Sequence, residues 1–253
     1  MMHNEKSAKS LYEVLALGVS IIDFPYFYEV LMGRVPVSII TKLWFLENLM
    51  EINKRFFEFF KRFFDILGVF VLGAPSLLFY PFVILAIKSE SKGPAFIKQE
   101  RVGKNGKVFK IIKFRSMVAL SPSGLAEENN AIWSQKEDKR ITKIGKFIRT
   151  ARIDELPQLW NVLKNEMSFI GPRPERPEFI KELEEKVPHY SMRHLVKPGL
   201  SGWAQINLSY GASVEYALKK LQYDLYYIKN RSLTLEAVIA LKTIFIMMSR
   251  QGR

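Results

Sequence analysis

The pattern of apolar and charged positions changes character along the first third of the chain. Residues 1–50 mix short apolar runs with turn residues such as Pro25. This length is too short to bury a core alone, so the segment is predicted to be part of a small α/β unit. Residues 51–65, EINKRFFEFFKRFFD, place six phenylalanines among basic residues. That mixture is typical of an amphipathic helix at a membrane interface, with basic side chains such as Lys61 and Arg62 reaching lipid phosphates.

The longest uncharged run covers residues 66–87, ILGVFVLGAPSLLFYPFVILAI. As one straight helix it would rise about 33 Å, so its length permits a full membrane span. Pro75 and Pro81 disfavour a straight helix, because each removes a backbone donor. Basic residues flank both ends: Lys61 and Arg62 before the run, and Lys88 and Lys92 after it. Both ends therefore prefer the cytoplasmic side, which favours a re-entrant helix-break-helix hairpin over a full span or a buried helix of a soluble core.

The pattern beyond residue 93 predicts a mixed domain. The turn at 103–106, Gly-Lys-Asn-Gly, lies between two segments of alternating polarity and predicts a β-hairpin. The polar stretch 119–139 is predicted to be a loop, and helices are predicted over 178–186, 215–230 and 233–249. The fold class is therefore α+β and mostly helical, with a short β-hairpin, amphipathic interfacial helices and a monotopic membrane hairpin at 66–87.

The net charge of the chain indicates which classes of molecule it could bind. The 38 lysines and arginines outnumber the 25 acidic residues, giving +13, so we expect an anionic partner: nucleic acid, a membrane surface or a phosphorylated substrate. The long uncharged run and the lack of any nucleic-acid-binding motif argue against nucleic acid. Without cysteine there is no thiolate metal site, and three scattered histidines argue against zinc. Residues 1–20 do not match a signal peptide, so the working surfaces are predicted to be cytoplasmic.

The segment DELPQ at 154–158 is the strongest candidate for chemistry. Two adjacent carboxylates, Asp154 and Glu155, lie among basic residues: Arg149 and Arg152 before them, and Arg173 and Arg176 after them. Fixed positive charge around an acidic pair indicates phosphate chemistry. An acidic residue before an apolar run is also typical of a helix N-cap, here Asp154. The two interpretations are compatible, because a helix N-terminus itself favours phosphate.

Several motifs together resemble one family. They are KRFFD at 61–65, FKIIKFRSM at 109–117, the segment 142–179 with DELPQ and GPRP, KPGLSGWAQIN at 197–207 and LQYDLYYIKN at 221–230. In this order they resemble the bacterial sugar transferases, which are monotopic polyprenyl-phosphate phosphoglycosyl transferases. Residues 1–50 resemble the tail of a Rossmann-like modulatory domain of longer members. The resemblance thus divides the chain into a remnant of that domain and a catalytic domain at 51–253.

The resemblance implies transfer of a sugar 1-phosphate from a UDP-sugar to undecaprenyl phosphate, giving undecaprenyl diphosphate sugar and UMP. This reaction would initiate exopolysaccharide, capsule or O-antigen synthesis at the cytoplasmic face of the bacterial inner membrane. Membrane lipid and a second copy of the chain are further expected partners. The alternative function is a basic, non-catalytic membrane-binding scaffold of an envelope complex. No residue identifies the sugar.

The resemblance also implies residue roles. Asp154 would be the nucleophile that forms an aspartyl-phosphosugar intermediate, and Glu155 would help to hold Mg²⁺. Phosphate contacts are expected from Arg149 and Arg173, and secondarily from Lys113, Arg115 and Arg176. Pro81 would break the membrane helix. In the tyrosine-rich helix Asp224 is the residue worth testing, and Gly199, Gly202 and Gln205 fit either a turn near a ligand or a structural turn.

Overall fold

The computed structural model describes residues 12, 17–18, 22–49, 54–121, 123–126, 138–209, 211 and 213–249. Its α-helices are α1 (Phe24–Met32), α2 (Lys42–Asn48), α3 (Arg55–Gly68), α4 (Ala74–Leu77), α5 (Tyr80–Glu90), α6 (Lys143–Thr150), α7 (Leu159–Leu163), α8 (Pro177–Lys186), α9 (Trp203–Asn207), α10 (Val214–Lys229) and α11 (Leu233–Met248). A π-helical turn covers Val69–Gly73, and 3-10 turns cover Lys104–Gly106, Ile153–Gln158 and Tyr190–Leu195. The strands are β1 (Phe96–Val102), β2 (Val108–Phe114), β3 (Ser168–Ile170) and β4 (Gly199–Ser201).

The predicted secondary structure is largely confirmed. The helices predicted over 178–186, 215–230 and 233–249 correspond to α8, α10 and α11. Residues 122 and 127–137, from the stretch predicted to be a loop, lie outside the described residues, as do residues 1–11, 13–16 and 19–21. The described part of residues 22–49 contains the helices α1 and α2 and no strand, so the predicted small α/β unit is not seen there.

The apolar run forms two helical arms with a bend between them. Residues 55–77 run through α3, the π-helical turn and α4, and α5 leaves at an angle of 58°. Pro81 has no N–H to bond the carbonyl of Leu77, and the chain instead closes with two tight turns, Leu78 N to Pro75 O and Phe79 N to Ser76 O. No single helix among the described residues is long and apolar enough to cross a membrane, whereas this bent pair together has that length and composition.

The exposed surface of the bent pair is apolar. Large hydrophobic side chains protrude along both arms: Phe70, Val71, Leu72, Leu77, Leu78, Phe79, Phe82 and Leu85. The interpretation as a buried helix of a soluble core is therefore wrong, since a core helix would cover these side chains. The predicted helix-break-helix geometry is confirmed, and its insertion into one leaflet stays a prediction.

The charged residues of KRFFD fasten α3 to the rest of the protein. Lys61 Nζ donates to the carbonyl of Ile170 at 2.8 Å and to Glu236 at 2.5 Å. Asp65 accepts from Ser168 Oγ at 2.9 Å and from Phe169 N at 3.0 Å, so it holds strand β3. Lys61 is buried, and the prediction that it reaches lipid phosphate is wrong, because protein groups already satisfy its charge.

Arg62 makes equivalent contacts at the other edge of the helix. Its guanidinium donates to the carbonyls of Val162 and Leu163, at 2.7 and 2.8 Å. These carbonyls lie at the end of α7, where the i+4 partners of a helix are missing; the carbonyl of Val162 also accepts from Asn165 N at 2.9 Å. The predicted lipid contact of Arg62 is therefore also wrong: its charge complements a helix C-terminus of the same chain.

The β-hairpin is confirmed with its predicted turn. Strands β1 and β2 pair antiparallel, with Arg101 opposite Phe109 and Ile97 opposite Lys113. Asn105 and Gly106 adopt φ of 56° and 74°, values that asparagine and glycine tolerate. Since alternate residues share a face, this register places Gln99 beside Arg101 and Lys113.

The main core joins the two ends of the chain. Trp44 and Phe45 of α2 are buried in one cluster with Leu221 and Leu225 of α10. The backbone N–H of Val35 donates to the carbonyl of Gln222, and Trp203 Nε1 donates to that of Gly33. Residues 33–49 therefore share the core of the later elements. Their assignment to a Rossmann-like domain stays a prediction.

Candidate active site

The segment DELPQ forms a tight turn between two helices. Thr142 caps α6 by accepting from Gly145 N at 2.9 Å, and after α6 the chain reverses at Arg152, whose φ is 58°. Asp154 and Glu155 follow in the first turn of the 3-10 segment. The N-cap prediction for Asp154 is wrong: Arg152 precedes this segment, and Gln158 precedes α7.

Glu155 lies at the centre of a cluster of basic side chains. Arg173 Nη2 donates a short hydrogen bond to its Oε1, and Lys113 Nζ lies 3.9 Å from the same oxygen. Arg152 Nη1 lies 3.6 Å from Oε2. Burial alone would raise the pKa of Glu155, but Arg173, Lys113 and Arg152 outweigh it and hold the pKa well below its usual value. This carboxylate is therefore ionised at neutral pH.

The pKa of the neighbouring residue Asp154 is displaced in the opposite direction. Burial and the adjacent charge of Glu155 raise its pKa, and the charges of Lys113, Arg149 and Arg173 only partly offset this. The structure thus brings Lys113, Arg149 and Arg173 together with the acidic pair, as the sequence predicted. Two adjacent carboxylates with pKa values displaced in opposite directions are typical of groups with different chemical roles.

Lys113 reaches this cluster from strand β2. Burial lowers the pKa of Lys113 to about 8, with Arg173 and Arg101 lowering it further and Glu155 and Asp154 opposing the change. Ile111, two residues earlier on the same face, packs with Leu156 and Leu159 and so fixes the strand against the acidic turn. The ammonium is held close to the acidic pair by this packing.

Arg115 lies elsewhere and has a structural role. Its Nη1 donates to the carbonyl of Lys92 at 2.8 Å, and its Nη2 to those of Ser91 and Ile87 at 2.7 and 3.4 Å. Only 2% of the residue is exposed. The guanidinium caps the C-terminal end of α5, so the prediction that Arg115 contacts a phosphate is wrong.

Arg176 precedes α8 and binds Glu178, with 3.1 Å between Nη2 and Oε1. Its guanidinium also lies 5.9 Å from the centre of the Phe179 ring. Its charge acts on Arg101 rather than being among the main influences on either carboxylate of the acidic pair. Its predicted phosphate contact stays a prediction.

Sequence reasoning missed Gln99 and Arg101. Both project from the face of the hairpin that carries Lys113, and Arg101 Nη2 donates to Gln99 Oε1. Burial lowers the pKa of Arg101 to about 10; nearby Glu175 opposes this, while Arg173 lowers it further. The signal was available in the sequence, because the two-residue period of a hairpin places 99, 101 and 113 on one face.

A buried ion pair supports the loop that carries Arg173. Arg193 donates from Nε and Nη2 to Asp224 Oδ2, at 3.1 and 2.8 Å, and from Nη2 to the carbonyl of Arg173 at 2.9 Å. Its Nη1 donates to Tyr190 Oη at 2.7 Å. Asp224 therefore acts through Arg193 on the backbone of the GPRP loop.

The glycines of KPGLSG serve close loop packing. A Cβ on Gly199 would lie 2.1 Å from the nitrogen of Gly171, and one on Gly202 would lie 2.2 Å from the oxygen of Gly171. Gln205 Nε2 donates to the carbonyl of Leu200 at 3.0 Å, and Arg173 Nη1 reaches the same oxygen at 3.3 Å. These contacts favour the structural turn over the ligand-binding turn for this segment.

The acidic pair supplies the carboxylate oxygens that a metal ion at this site would need. Among the described residues no group of three or more His, Cys, Asp or Glu side chains could hold a metal ion. Asp154 and Glu155 offer two adjacent pairs of carboxylate oxygens beside Arg173, Lys113 and Arg152. This set fits Mg²⁺, which is commonly bound by one or two carboxylates together with the phosphates of a substrate.

A buried acidic pair lies among lysine and arginine side chains, beside an apolar helix-break-helix hairpin. Such clusters of buried, charge-paired groups are typical of functional sites in enzymes that act on phosphorylated substrates. The family model for bacterial sugar transferases matches residues 56–250. The chain belongs to this family.

Three relatives show its range. A UDP-N-acetylgalactosamine-undecaprenyl-phosphate N-acetylgalactosaminephosphotransferase of Aeromonas hydrophila is 45% identical, covering 88% of this chain and 51% of the relative. A UDP-glucose:undecaprenyl-phosphate glucose-1-phosphate transferase of Klebsiella pneumoniae is 39% identical, covering 74% and 39%. A UDP-galactose-lipid carrier transferase of Erwinia amylovora is 34% identical, covering 99% and 51%. The chain thus spans about half or less of the length of these relatives.

Proposed function

We propose that this chain transfers a sugar 1-phosphate from a UDP-sugar to undecaprenyl phosphate, giving undecaprenyl diphosphate sugar and UMP. The names of the relatives support both substrates. The observation that carries the proposal is the convergence of Arg173, Lys113 and Arg152 on the buried carboxylate of Glu155, next to Asp154. The family resemblance suggests that the product starts exopolysaccharide, capsule or O-antigen synthesis.

The proposed reaction has two steps at one phosphorus atom. A carboxylate oxygen of Asp154 attacks the sugar-proximal phosphorus, and the bond from that phosphorus to the bridging oxygen of the diphosphate breaks, so that UMP leaves. A phosphate oxygen of undecaprenyl phosphate then attacks the same phosphorus. The bond to Asp154 breaks and the free carboxylate is restored. Asp154 suits the nucleophilic role because the carboxylate of Glu155 is already bound by Arg173 and approached by Lys113 and Arg152.

The basic residues of the cluster oppose the repulsion between an anionic nucleophile and an anionic donor. Arg173 and Arg149 can bind phosphate oxygens in a bidentate manner, and Lys113 adds a compact charge. Glu155, held ionised by its neighbours, would hold Mg²⁺ together with substrate phosphates. When bound, the ion would supply charge neutralisation for the departing UMP.

The proposed location is the cytoplasmic face of the bacterial inner membrane. The bent pair of apolar helices, with its exposed hydrophobic side chains, supports a monotopic arrangement in one leaflet. Lipid would then contact this surface. A second copy of the chain is the further partner that the family resemblance suggests.

The test is UMP release from a panel of UDP-sugars by the detergent-solubilised chain with undecaprenyl phosphate and Mg²⁺. We expect turnover with a particular UDP-sugar, and Asp154→Asn and Glu155→Gln should each lower it by at least about a hundredfold. Glu182→Gln is the matched control, since Glu182 lies on the surface of α8 in an exposed pair with Lys186. Undiminished turnover in Asp154→Asn would rule out the proposed nucleophile. Membrane binding without turnover by the unaltered chain would favour the scaffold alternative.

A further inference from the structure

An apolar groove separates α5 from α6 on the side of the bent hairpin. Its volume is about 440 Å³, within the range of sites that bind organic ligands. The two helices supply six apolar lining residues: Phe82, Val83 and Ala86 of α5, and Ile144, Phe147 and Ile148 of α6. Such a lining suits an uncharged hydrocarbon and offers little to a nucleotide or a sugar.

The groove is held open by contacts at one end and along its floor. The carboxylate of Glu90, at the end of α5, accepts from the backbone N–H groups of Lys143 and Ile144 at 2.6 and 2.9 Å. Gly145 packs on the chain after β2, because a Cβ there would lie 1.9 Å from the oxygen of Ser116. Phe114 is buried beneath the two helices. The two walls are therefore fixed relative to each other before any ligand binds.

The inner end of the groove meets the acidic turn. Ile153 lines the groove, and the next residue is Asp154. The helix α6, which forms one wall, also carries Arg149, whose charge acts on Asp154. Lys143 is the charged residue of the lining. An amphiphile with its phosphate at the basic cluster would thus have its chain beside Ile153.

The outer end of the groove continues into exposed apolar surface. Phe82 is 70% exposed and Phe147 is 67% exposed, and both stand at the rim. Neighbouring Leu85 of α5 is exposed to a similar extent, outside the groove. The groove therefore opens onto the exposed apolar surface of the bent hairpin, and Lys143 is the one charged residue among those that line it.

We propose that this groove binds the part of the acceptor's isoprenoid chain that lies next to the phosphate. The inference rests on the proposed function, because it takes the polyprenyl phosphate acceptor as occupant. Charge and hydropathy both fit: the phosphate faces Arg149 and the basic cluster, and the branched hydrocarbon faces Val83, Ala86 and Ile144. The groove thereby sets the direction from which the acceptor phosphate approaches Asp154.

The first experiment measures binding without turnover. A polyprenyl phosphate carrying a diazirine on the isoprene unit next to the phosphate is photolysed with the full chain in phosphatidylglycerol nanodiscs, and labelled residues are mapped by mass spectrometry. We expect label on residues 82–86 and 144–153, displaced by unlabelled polyprenyl phosphate. Label confined to other hydrophobic surfaces would overturn the proposal. Displacement by the same excess of added phosphatidylglycerol would also overturn it, since the groove would then be a site for bulk lipid.

The second experiment fills the groove. Ala86→Phe should raise KM for undecaprenyl phosphate and weaken the photolabelling by at least about tenfold, as expected when a few buried methylene groups of a ligand are displaced. KM for the UDP-sugar should not change. Leu85→Phe introduces the same side chain at the adjacent exposed position and should leave both constants unchanged. Equal effects of the two variants on KM for the acceptor would contradict the proposal.

The two proposals fail in different ways. Specific labelling of the groove without UMP release from any UDP-sugar would contradict the proposed transferase reaction and leave the groove assignment standing. UMP release without labelling of the groove would support the reaction and contradict the groove. The mapping experiment therefore decides the inference whether or not Ala86→Phe folds.

Discussion

Arg193 Nη2 donates a 2.9 Å hydrogen bond to the carbonyl oxygen of Arg173. A buried guanidinium on one loop thus fixes the backbone of another loop, whose own guanidinium binds Glu155. Asp224 on α10 holds Arg193 through two hydrogen bonds. A series of contacts thus leads from Asp224 through Arg193 and Arg173 to Glu155. Through these contacts α10 influences the position of the acidic turn.

Asp224→Asn should lower kcat for UMP release by up to about a hundredfold, the cost expected when a contact group shifts by about 1 Å. The reason is that Arg193 loses the closer of two counter-charges, while Glu175 remains at 3.8 Å, and it no longer holds the carbonyl of Arg173 in place. Asp224→Glu should restore part of kcat, and Glu215→Gln, on the exposed face of the same helix, should have no effect. If Asp224→Asn lowers only the free energy of unfolding and keeps full kcat in the folded enzyme, Asp224 has no positioning role.

The pH dependence of kcat/KM should reveal the loss of the proton from Lys113. Its pKa is lowered from 10.5 to about 8 by burial, so the ammonium is lost above about pH 8 in the free enzyme. We expect kcat/KM for the UDP-sugar to fall by about tenfold per pH unit above this value, since kcat/KM follows groups of the free enzyme. Lys113→Arg keeps its charge and should move this limb to higher pH. An unmoved limb in Lys113→Arg would assign the titration to another group.

The same group has a predictable effect on stability. Its folded pKa lies below its unfolded pKa, so the unfolded chain binds more protons between about pH 8 and 10.5. The free energy of unfolding therefore rises with pH through this window as far as Lys113 contributes, and below it the full cost of burying the charge remains. Comparing urea denaturation of the unaltered chain and Lys113→Met across pH 7 to about 10.5 isolates this contribution. Identical pH dependence in both would contradict it.

Arg115→Met should destabilise the fold by about 3 kcal/mol, because buried carbonyls at the end of α5 lose charged donors. KM for the UDP-sugar should stay unchanged in the folded fraction, since the guanidinium serves the helix end. Lys186→Met, which removes one half of an exposed pair, should cost less than about 1 kcal/mol. Thermal or denaturant unfolding gives the first quantity and initial rates the second. A raised KM without loss of stability would return Arg115 to the phosphate site.

We infer that Arg101, which shares the hairpin face of Lys113, donates one charge-assisted hydrogen bond to a phosphate of the UDP-sugar. Arg101→Met should then raise KM for the UDP-sugar by about tenfold. KM for undecaprenyl phosphate should change little, because Arg101 lies with Arg173 rather than beside the groove. Lys98→Met is the matched control, since Lys98 lies on the opposite, exposed face of β1. Equal changes in both variants would indicate a general effect of net charge.

The contrast between Lys113 and Arg115 shows how far sequence reasoning reaches. Both are basic and both belong to FKIIKFRSM, yet Lys113 reaches the acidic turn and Arg115 caps α5. The alternation of side-chain direction along β2 predicts the face on which Lys113 lies, but the strand ends at Phe114. Beyond that point the direction of Arg115 depends on where α5 ends, which is set by tertiary packing. Periodicity carries no information about such a contact.

Local sequence patterns predicted the helices, strands and turns well. They did not predict which of these elements share a hydrophobic core. The hairpin turn at 103–106 and the break before Pro81 follow from glycine, asparagine and proline chemistry within a few residues. The burial of Trp44 and Phe45 against Leu221 depends instead on pairings across most of the chain. Divergent pKa values of Asp154 and Glu155 likewise require the three-dimensional placement of Arg173.

The hydrogen bonds from the KRFFD segment to strand β3 connect the position of α3 to that of the acidic turn. Lys61 and Asp65 of α3 hold β3, and the chain passes from β3 within three residues to Arg173. In the proposed membrane setting, a tilt of α3 would move β3 and, through the backbone, the guanidinium of Arg173 that binds Glu155. A lipid anchor could keep the domain at a bilayer, but it would not make the hydrogen bonds by which α3 holds β3. If the chain lies in the membrane as proposed, bilayer thickness would affect the position of Arg173 through this connection.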